Sequence, residues 1–175
     1  MSKLAAAIAG LLLSIGVANT ADWSSYSNAR FGYQIDVPPA FSKVSEADNA
    51  DGGVSKARDG RGTLRVWGGH ITEADFQSEV TWRIRQDLAN GWEVTYRKIH
   101  PAWASWSETK GDQVFYQSAV AACDGAAAYF RLEYDRSQLK AFDPVVSRLV
   151  NRCEAVPAEA DKQCRTAMLA TSATS

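Results

Sequence analysis

His70 and His100 are the only imidazoles in a chain of 175 residues, and so the only side chains whose unperturbed charge change falls between pH 5 and 8. His70 closes Gly68-Gly69-His70 ahead of a helical pattern, a loop position where a catalytic base can be held, and His100 precedes Pro101 at the end of a strand pattern. Neither keeps catalytic company: the chain has no Gly-x-Ser-x-Gly elbow, no His-Glu-x-x-His helix and no Walker loop. Serines and aspartates are numerous enough that a hydrolytic triad drawn on paper around either histidine means little. No catalytic residue is expected, and no cofactor. No metal site is expected either, because there is no Cys-x-x-Cys pair and both histidines are far from the cysteines in sequence.

The three cysteines, Cys123, Cys153 and Cys164, suggest a clamp instead. Cys123 stands just before the last strand pattern, and Cys153 just after a helix that returns antiparallel to it, so strand and helix bring both to one end of the domain. In an oxidising compartment a Cys123–Cys153 disulfide is expected, closing a loop of about 30 residues and stabilising by about 3 to 4 kcal/mol on the chain-entropy model. Pairing of Cys153 with Cys164 competes with it, and either choice leaves one thiol over.

Six tryptophans point toward recognition. Trp103 and Trp106 have opposite strand parity, so one faces the core if the other is exposed. Exposed tryptophan beside polar groups stacks on sugars or anchors a partner protein, which makes Trp67, Trp103 and Trp106 the candidate interaction surface. The competing role for each is packing between sheet and helix. Arg58, Arg61, Arg65, Arg97 and Lys98 are interleaved with acids across several strands, as on a solvated face, and Gly68-Gly69 is too short to cradle a phosphate by itself.

The elements that must position these residues follow from periodicity. Phe31, Tyr33, Ile35 and Val37 alternate with glycine or polar residues, a strand stopped by Pro38-Pro39. Asp22 to Asn28 reads as an N-terminal arm, and Glu46 to Gly53 as a loop. Val54–Arg58 and Gly62–Trp67 form a hairpin about Asp59-Gly60-Arg61, with Leu64, Val66 and Gly68 on one side. Thr72 and Asp75 make an imperfect capping box ahead of a helix of about 18 residues, some 27 Å long. Phe76, Val80, Ile84 and Leu88 form its core stripe, and Asn90-Gly91 its cap. Trp92, Val94 and Tyr96 share one side of the next strand. Ala102–Thr109 and Gln113–Ala122 form a second hairpin, and Ala127–Tyr134 a last strand. A helix from about Ser137 to Asn151 follows, with Pro144 near its first turn if the helix proper begins near Asp143. Short turns between consecutive strands predict an α+β domain, an antiparallel sheet with helix packed on it.

At the N-terminus, Lys3 precedes the apolar, uncharged stretch Leu4–Ala18, a signal-peptide pattern too short for a membrane anchor. Cleavage is expected after Ala21, with Ala18 the alternative, and no nearby cysteine offers itself for acylation. The expected organisation is a signal peptide over 1–21, one domain over 22–153 and a flexible tail over 154–175. The product is expected to be periplasmic or secreted, without stable membrane insertion. The chain is 46% hydrophobic and 22% charged, with formal net charge -1. That suits one globular domain and argues against a disordered chain or a nucleic-acid binder relying on bulk positive charge.

The run Asn28-Ala29-Arg30-Phe31-Gly32-Tyr33-Gln34-Ile35-Asp36-Val37-Pro38 resembles the opening strand of PsbP-like domains. Further matching pieces are 59–68, 111–116, and 132–134 through 142–146. The chain is most similar to small exported proteobacterial proteins of unknown function with a PsbP-like domain. The resemblance implies an α-β-α sandwich about an antiparallel sheet, in proteins that act by binding other proteins and share no catalytic site. It implies no photosystem role, and no functional residue carries over from it. The expected function is an exported, non-enzymatic protein-interaction module of the bacterial envelope, with another envelope protein as partner. The alternatives are a periplasmic inhibitor or immunity protein against a lytic enzyme and, third, a glycan-binding or hydrolytic enzyme using His70 or His100.

Overall fold

The computed structural model describes residues 22–151 and the backbone of residues 152, 154 and 155. Its elements in order are β1 (Ser24–Asn28), β2 (Tyr33–Val37), β3 (Ser45–Glu46), β4 (Gly52–Lys56), β5 (Gly62–His70), α1 (Phe76–Ala89), β6 (Glu93–Ile99), β7 (Trp103–Lys110), β8 (Gln113–Ala121), β9 (Ala126–Asp135), α2 (Leu139–Arg152) and β10 (Glu154–Ala155). Seven strands form one antiparallel sheet in the order β3-β4-β5-β9-β8-β7-β6, and β1-β2-β10 form a small second sheet. The signal-peptide pattern, Cys153, Cys164 and most of the expected tail lie outside the described residues. Glu154 and Ala155, assigned to that tail from sequence, instead pair with β2. The expected N-terminal arm is likewise a strand, pairing with β2 from Ser24↔Val37 to Asn28↔Tyr33.

β9 and β5 show how the sheet acquires two buried faces. Ala128, Phe130, Leu132 and Tyr134 alternate with Ala127, Tyr129, Arg131 and Glu133. The first set packs with Leu64 and Val66 of β5, Tyr33, Ile35 and Val37 of β2, and Phe142 and Leu149 of α2. Ala127 and Tyr129 of the second set pack with Trp106, Phe115 and the α1 residues Phe76, Val80 and Ile84. The result is three layers, with α1 on one face and the small sheet plus α2 on the other, as the sandwich expectation required. Arg148 of α2 ties the outer layer together, bridging to Asp36 of β2 at 3.0 Å and lying 4.3 Å from the centroid of the Trp23 ring. Gly68 allows close approach here, since a Cβ on it would stand 2.3 Å from the Phe31 side chain.

α1 carries the chain from β5 to the far edge strand β6, four strand spacings or about 19 Å away. Its 14 residues span about 21 Å, which suffices. The helix starts later than its sequence pattern suggested: Asp75, not Thr72, is the N-cap, its Oδ1 accepting from the Ser78 amide at 2.7 Å. Leu88, expected in the core stripe, is 47% exposed. Each four-residue step advances about 400° around a helix, so after three steps Leu88 has rotated about 120° from Phe76. Asp87, eleven residues on from Phe76, returns to within about 20° of it and takes the inward place.

Two other local expectations are corrected. A register shift between Val94 and Tyr96 sets Val94 opposite Glu108 and Tyr96 opposite Ser107, so the two no longer share a face, and Trp92 lies outside β6. α2 begins at Leu139 after a 3-10 turn over Arg136–Gln138, which makes Pro144 its sixth residue. Pro144 therefore lacks the N–H that would bond the Lys140 carbonyl. Among the described residues no helix is long and apolar enough to cross a membrane.

Candidate functional site

The three candidate tryptophans do not form one surface. Trp106 is 0% exposed and packs under α1, so its place in an interaction surface is corrected to one in the core. Trp67 faces the same side, half-buried and stacked on Tyr129 with centroids 5.2 Å apart. Trp103 is 37% exposed and lies opposite Val120, on the other face of the sheet. Its ring stacks on His100 at 4.1 Å, and the Lys98 Nζ lies 5.2 Å from its centroid. His70, at the end of β5, meets the Phe31 ring edge-on at 5.5 Å. The strands bearing the two histidines are four spacings apart in the sheet, about 19 Å, so they do not share a site. Cys123 follows β8 in a tight return to β9, with Asp124 and Gly125 at positive φ; its expected partner Cys153 is outside the described residues.

The face bearing Trp103 is covered incompletely. Among the described residues, α2 and the small sheet lie over β9 and its neighbours and leave Tyr96 of β6 and Trp103 of β7 exposed, while Ser105 between them is buried. Between α2 and β6–β8 runs a groove of about 900 Å³, with Thr95, Ser107, Tyr116 and Tyr134 among its floor residues and Leu139 and Val146 in its helical wall. A second depression of about 410 Å³ extends it past Tyr96 and Val150. Tyr96, Tyr116 and Phe130 form a stacked cross-strand row, with centroids 6.3 and 6.4 Å apart. The Thr95 and Ser107 hydroxyls share a 2.6 Å hydrogen bond, so the bulged residue points into the groove. Burial pushes the Tyr116 phenol above its usual range. Burial, then the Asp143 carboxylate, does the same to Tyr134. Both therefore stay neutral and can donate a hydrogen bond at physiological pH.

The face under α1 holds a charged network that includes Arg65, one of the residues expected on a solvated face. The Glu79 carboxylate accepts from the Thr72 amide at 3.0 Å, the Thr72 hydroxyl at 3.1 Å and the Glu73 amide at 3.3 Å, and pairs with Arg83 at 2.9 Å. Burial opposes its charge, but those donors prevail and hold its pKa below the usual value. Arg83 lies 4.2 Å from the Tyr129 ring centroid. Further along, Arg131 bonds Asp87 at 3.0 Å and approaches Glu133 at 3.9 Å, while Arg65 bonds Glu133 at 3.1 Å. Glu108 is fully buried, and its pKa is pushed up to about 7 by burial and by Asp87, against a smaller opposing effect of Arg131. A cleft of about 150 Å³ opens beside this network between Trp67 and Trp82. The eleven-residue return from Phe76 to Asp87 and the charged inward positions Arg131 and Glu133 of β9 were the signals that could have revealed it.

No family model and no curated protein sequence matches the chain. Solved structures do. Cyanobacterial PsbP (CyanoP) from Synechocystis superposes with a TM-score of 0.56 at 15% identity, over 83% of this chain and 99% of that one. The Ran-binding protein Mog1p of Saccharomyces cerevisiae gives 0.58 at 10% identity, over 79% of this chain and 97% of its own. The chain is similar to both in fold, which places it among α+β domains of PsbP-like architecture.

Proposed function

We propose that the protein is an exported, non-enzymatic interaction module whose groove between α2 and β6–β8 holds an extended segment of another envelope protein. The observation that carries this reading is the uncovered half of the sheet. There Tyr96 is 45% and Trp103 37% exposed, and Tyr96 lines the depression that continues the groove. Exposed aromatics around a concave, partly apolar floor are the usual anchors of a protein interface. Mog1, of like fold, is a Ran-binding protein, which favours a protein partner over a small substrate. Glu93 and Asp143 in the lining outnumber Arg136, so a neutral to basic segment fits best. The β6 edge itself is a poorer candidate, since its bulge and the charges of Arg97 and Lys98 discourage strand pairing. Export rests on Lys3 and the apolar stretch Leu4–Ala18.

The test is photo-cross-linking in living cells, with a benzophenone amino acid placed at position 96, at 103, and at 61 as a control on an exposed turn. The reading expects one identified envelope protein captured at 96 and 103 but not at 61, with capture abolished by Leu139→Arg. Capture only of the chain's own C-terminal segment or of a second copy overturns it, as does equal capture at all three positions. Export is tested separately, by N-terminal sequencing of protein released by osmotic shock, which is expected to begin at Asp22 or Asn19.

A further inference from the structure

Under α1, Glu108 Oε1 and Oε2, Trp106 Nε1, Gln117 Oε1 and Arg131 Nε are all buried without a hydrogen-bond partner. Buried polar atoms are ordinarily satisfied; here both oxygens of one carboxyl are not, and two further atoms without a partner, Arg83 Nε and the Tyr129 hydroxyl, belong to the Arg83–Tyr129 contact. Strand register makes the geometry explicit. Glu108 of β7 lies opposite Phe115 of β8, and Phe115 lies opposite Glu133 of β9. The Arg131 guanidinium sits 3.5 Å from the centroid of that same Phe115 ring, over the residue whose backbone is flanked by those of Glu108 and Glu133, each one strand spacing of about 4.8 Å away. Its present partner, at 3.0 Å, is Asp87.

Asp87 occupies the last turn of α1, which contains no basic residue. A carboxylate there meets the negative end of the helix dipole, so Arg131 offsets an unfavourable charge as well as joining helix to sheet. Further ties at this end are Lys110, whose Nζ donates to the Asn90 carbonyl at 2.8 Å, and Trp92, whose ring packs on Phe115 at 4.7 Å. The charged groups around Glu108 are thus Asp87 and Arg83 from α1, Arg131 and Glu133 from β9, Lys110 from its own strand, and exposed Arg97 of β6, which lies opposite Trp106.

We propose that Arg131 is a latch with two catches, holding Asp87 on α1 while Glu108 is protonated and turning to Glu108 when that carboxyl loses its proton to solvent. An ionised Glu108 without a donor would be a buried, unpaired anion, a costly state, and Arg131 is the cation placed to relieve it. The move breaks the Arg131–Asp87 bridge and leaves Asp87 unpaired at the helix C-terminus. The last turn of α1 then loosens from the sheet, held by Lys110 and by the Trp92 ring that packs on Phe115 at 4.7 Å. The change is set off by one proton and needs only a side-chain rotation over the Phe115 ring.

The experiment is nuclear magnetic resonance on the folded protein from pH 5 to 9. It follows the Glu108 side-chain carboxyl resonance and the amide exchange of Gln86–Asn90, expressed as protection factors relative to the unfolded chain. Protection is expected to fall at least tenfold with the same midpoint as the Glu108 titration, and to be independent of pH in Glu108→Gln. In Asp87→Asn, where Glu133, at 3.9 Å, is the one carboxylate left beside Arg131 apart from Glu108, the Glu108 midpoint is expected to drop by about one unit or more. Constant protection in the native protein, an equal fall in Glu108→Gln, or an unmoved Glu108 midpoint in Asp87→Asn overturns the proposal.

Discussion

The guanidinium carbon of Arg131 lies over the Phe115 ring, 3.5 Å from its centroid, while its Nη1 reaches Asp87 at 3.0 Å. Cation–π contact and ion pair act together there, both partly removed from solvent. Arg131→Ala is expected to cost about 2 to 4 kcal/mol, read by urea unfolding. Asp87→Asn should cost less, and the double variant less than the sum of the two. An additive double variant would show that the pair does not act as a unit.

The rotational phase of α1 can be checked by contrasting two of its apolar residues. Ile84 is buried and Leu88 exposed, although both belong to the same four-residue series. Ile84→Ala is expected to cost about 3 kcal/mol, and Leu88→Gln no more than about 0.5 kcal/mol. Comparable losses at both positions would place the helix in the phase that its sequence pattern suggested.

Glu108 gives stability a particular pH dependence. Its pKa rises from 4.5 to about 7 on folding, so between those values the native state holds a proton that the unfolded chain has lost. Stability from this group is therefore full below about pH 4.5, falls as pH rises toward 7, and is level above it. Glu108→Gln should remove that decline and be more stable than the native protein at pH 8, by about 2 to 3 kcal/mol. Glu79 works in the opposite sense: its lowered pKa contributes stability that is lost as pH falls below the usual carboxylate range. Denaturation midpoints from pH 3 to 9 separate the two slopes.

Gly68 tests the packing between the two sheets. A methyl group there meets the Phe31 side chain at 2.3 Å, too close to accommodate without moving the chain before β2. Gly68→Ala is expected to destabilise by about 1 to 3 kcal/mol. Combining it with Phe31→Gly, which removes the Cβ that the methyl group meets, should recover part of the loss, whereas a neutral Gly68→Ala would contradict this packing.

The cysteine clamp is a matter for peptide mapping under non-reducing conditions. A Cys123–Cys153 cross-link is expected, with Cys164 as the remaining thiol, and reduction or Cys123→Ser should lower stability by about 3 kcal/mol. A Cys153–Cys164 peptide would favour the competing pairing.

Much of the architecture was legible in local pattern. The Asp59-Gly60 turn, the Lys110-Gly111-Asp112 turn and the alternation in β2, β5 and β8 depend on neighbours only a few residues apart, and each stands where the pattern placed it. Opposite parity for Trp103 and Trp106 was equally legible, because side chains in a regular strand alternate by geometry. Parity does not say which face water reaches. That depended on where α1, α2 and the small sheet come to rest, so Trp106 proved to be core and Trp103 surface.

The candidate site was less legible, for three reasons. The groove exists because β6 forms the sheet edge beyond the reach of α2, and that order comes from the non-local pairing of β5 with β9, which sets the β6–β9 meander running away from β5. The bulge that separates Val94 from Tyr96 leaves no unambiguous mark in the alternating run Trp92 to Tyr96. The charged lining under α1 was hidden because Glu79, Arg83 and Asp87 look like solvated residues until Arg83, Arg131 and the Thr72 amide are found beside them.

By itself, then, the amino-acid sequence determined the two helices, the strands β2 and β4 to β9, the hairpins and the α+β class, since these follow from residue-to-residue periodicity and turn chemistry, whereas β1, β3 and β10 carry no such pattern. Only the tertiary structure decided the phase of α1, the burial of Glu108, the partner of Arg131 and the open half of the sheet. Each of these depends on which surfaces remote segments cover, and the free energy of a buried charge or an exposed aromatic is set by that cover rather than by its neighbours in the chain.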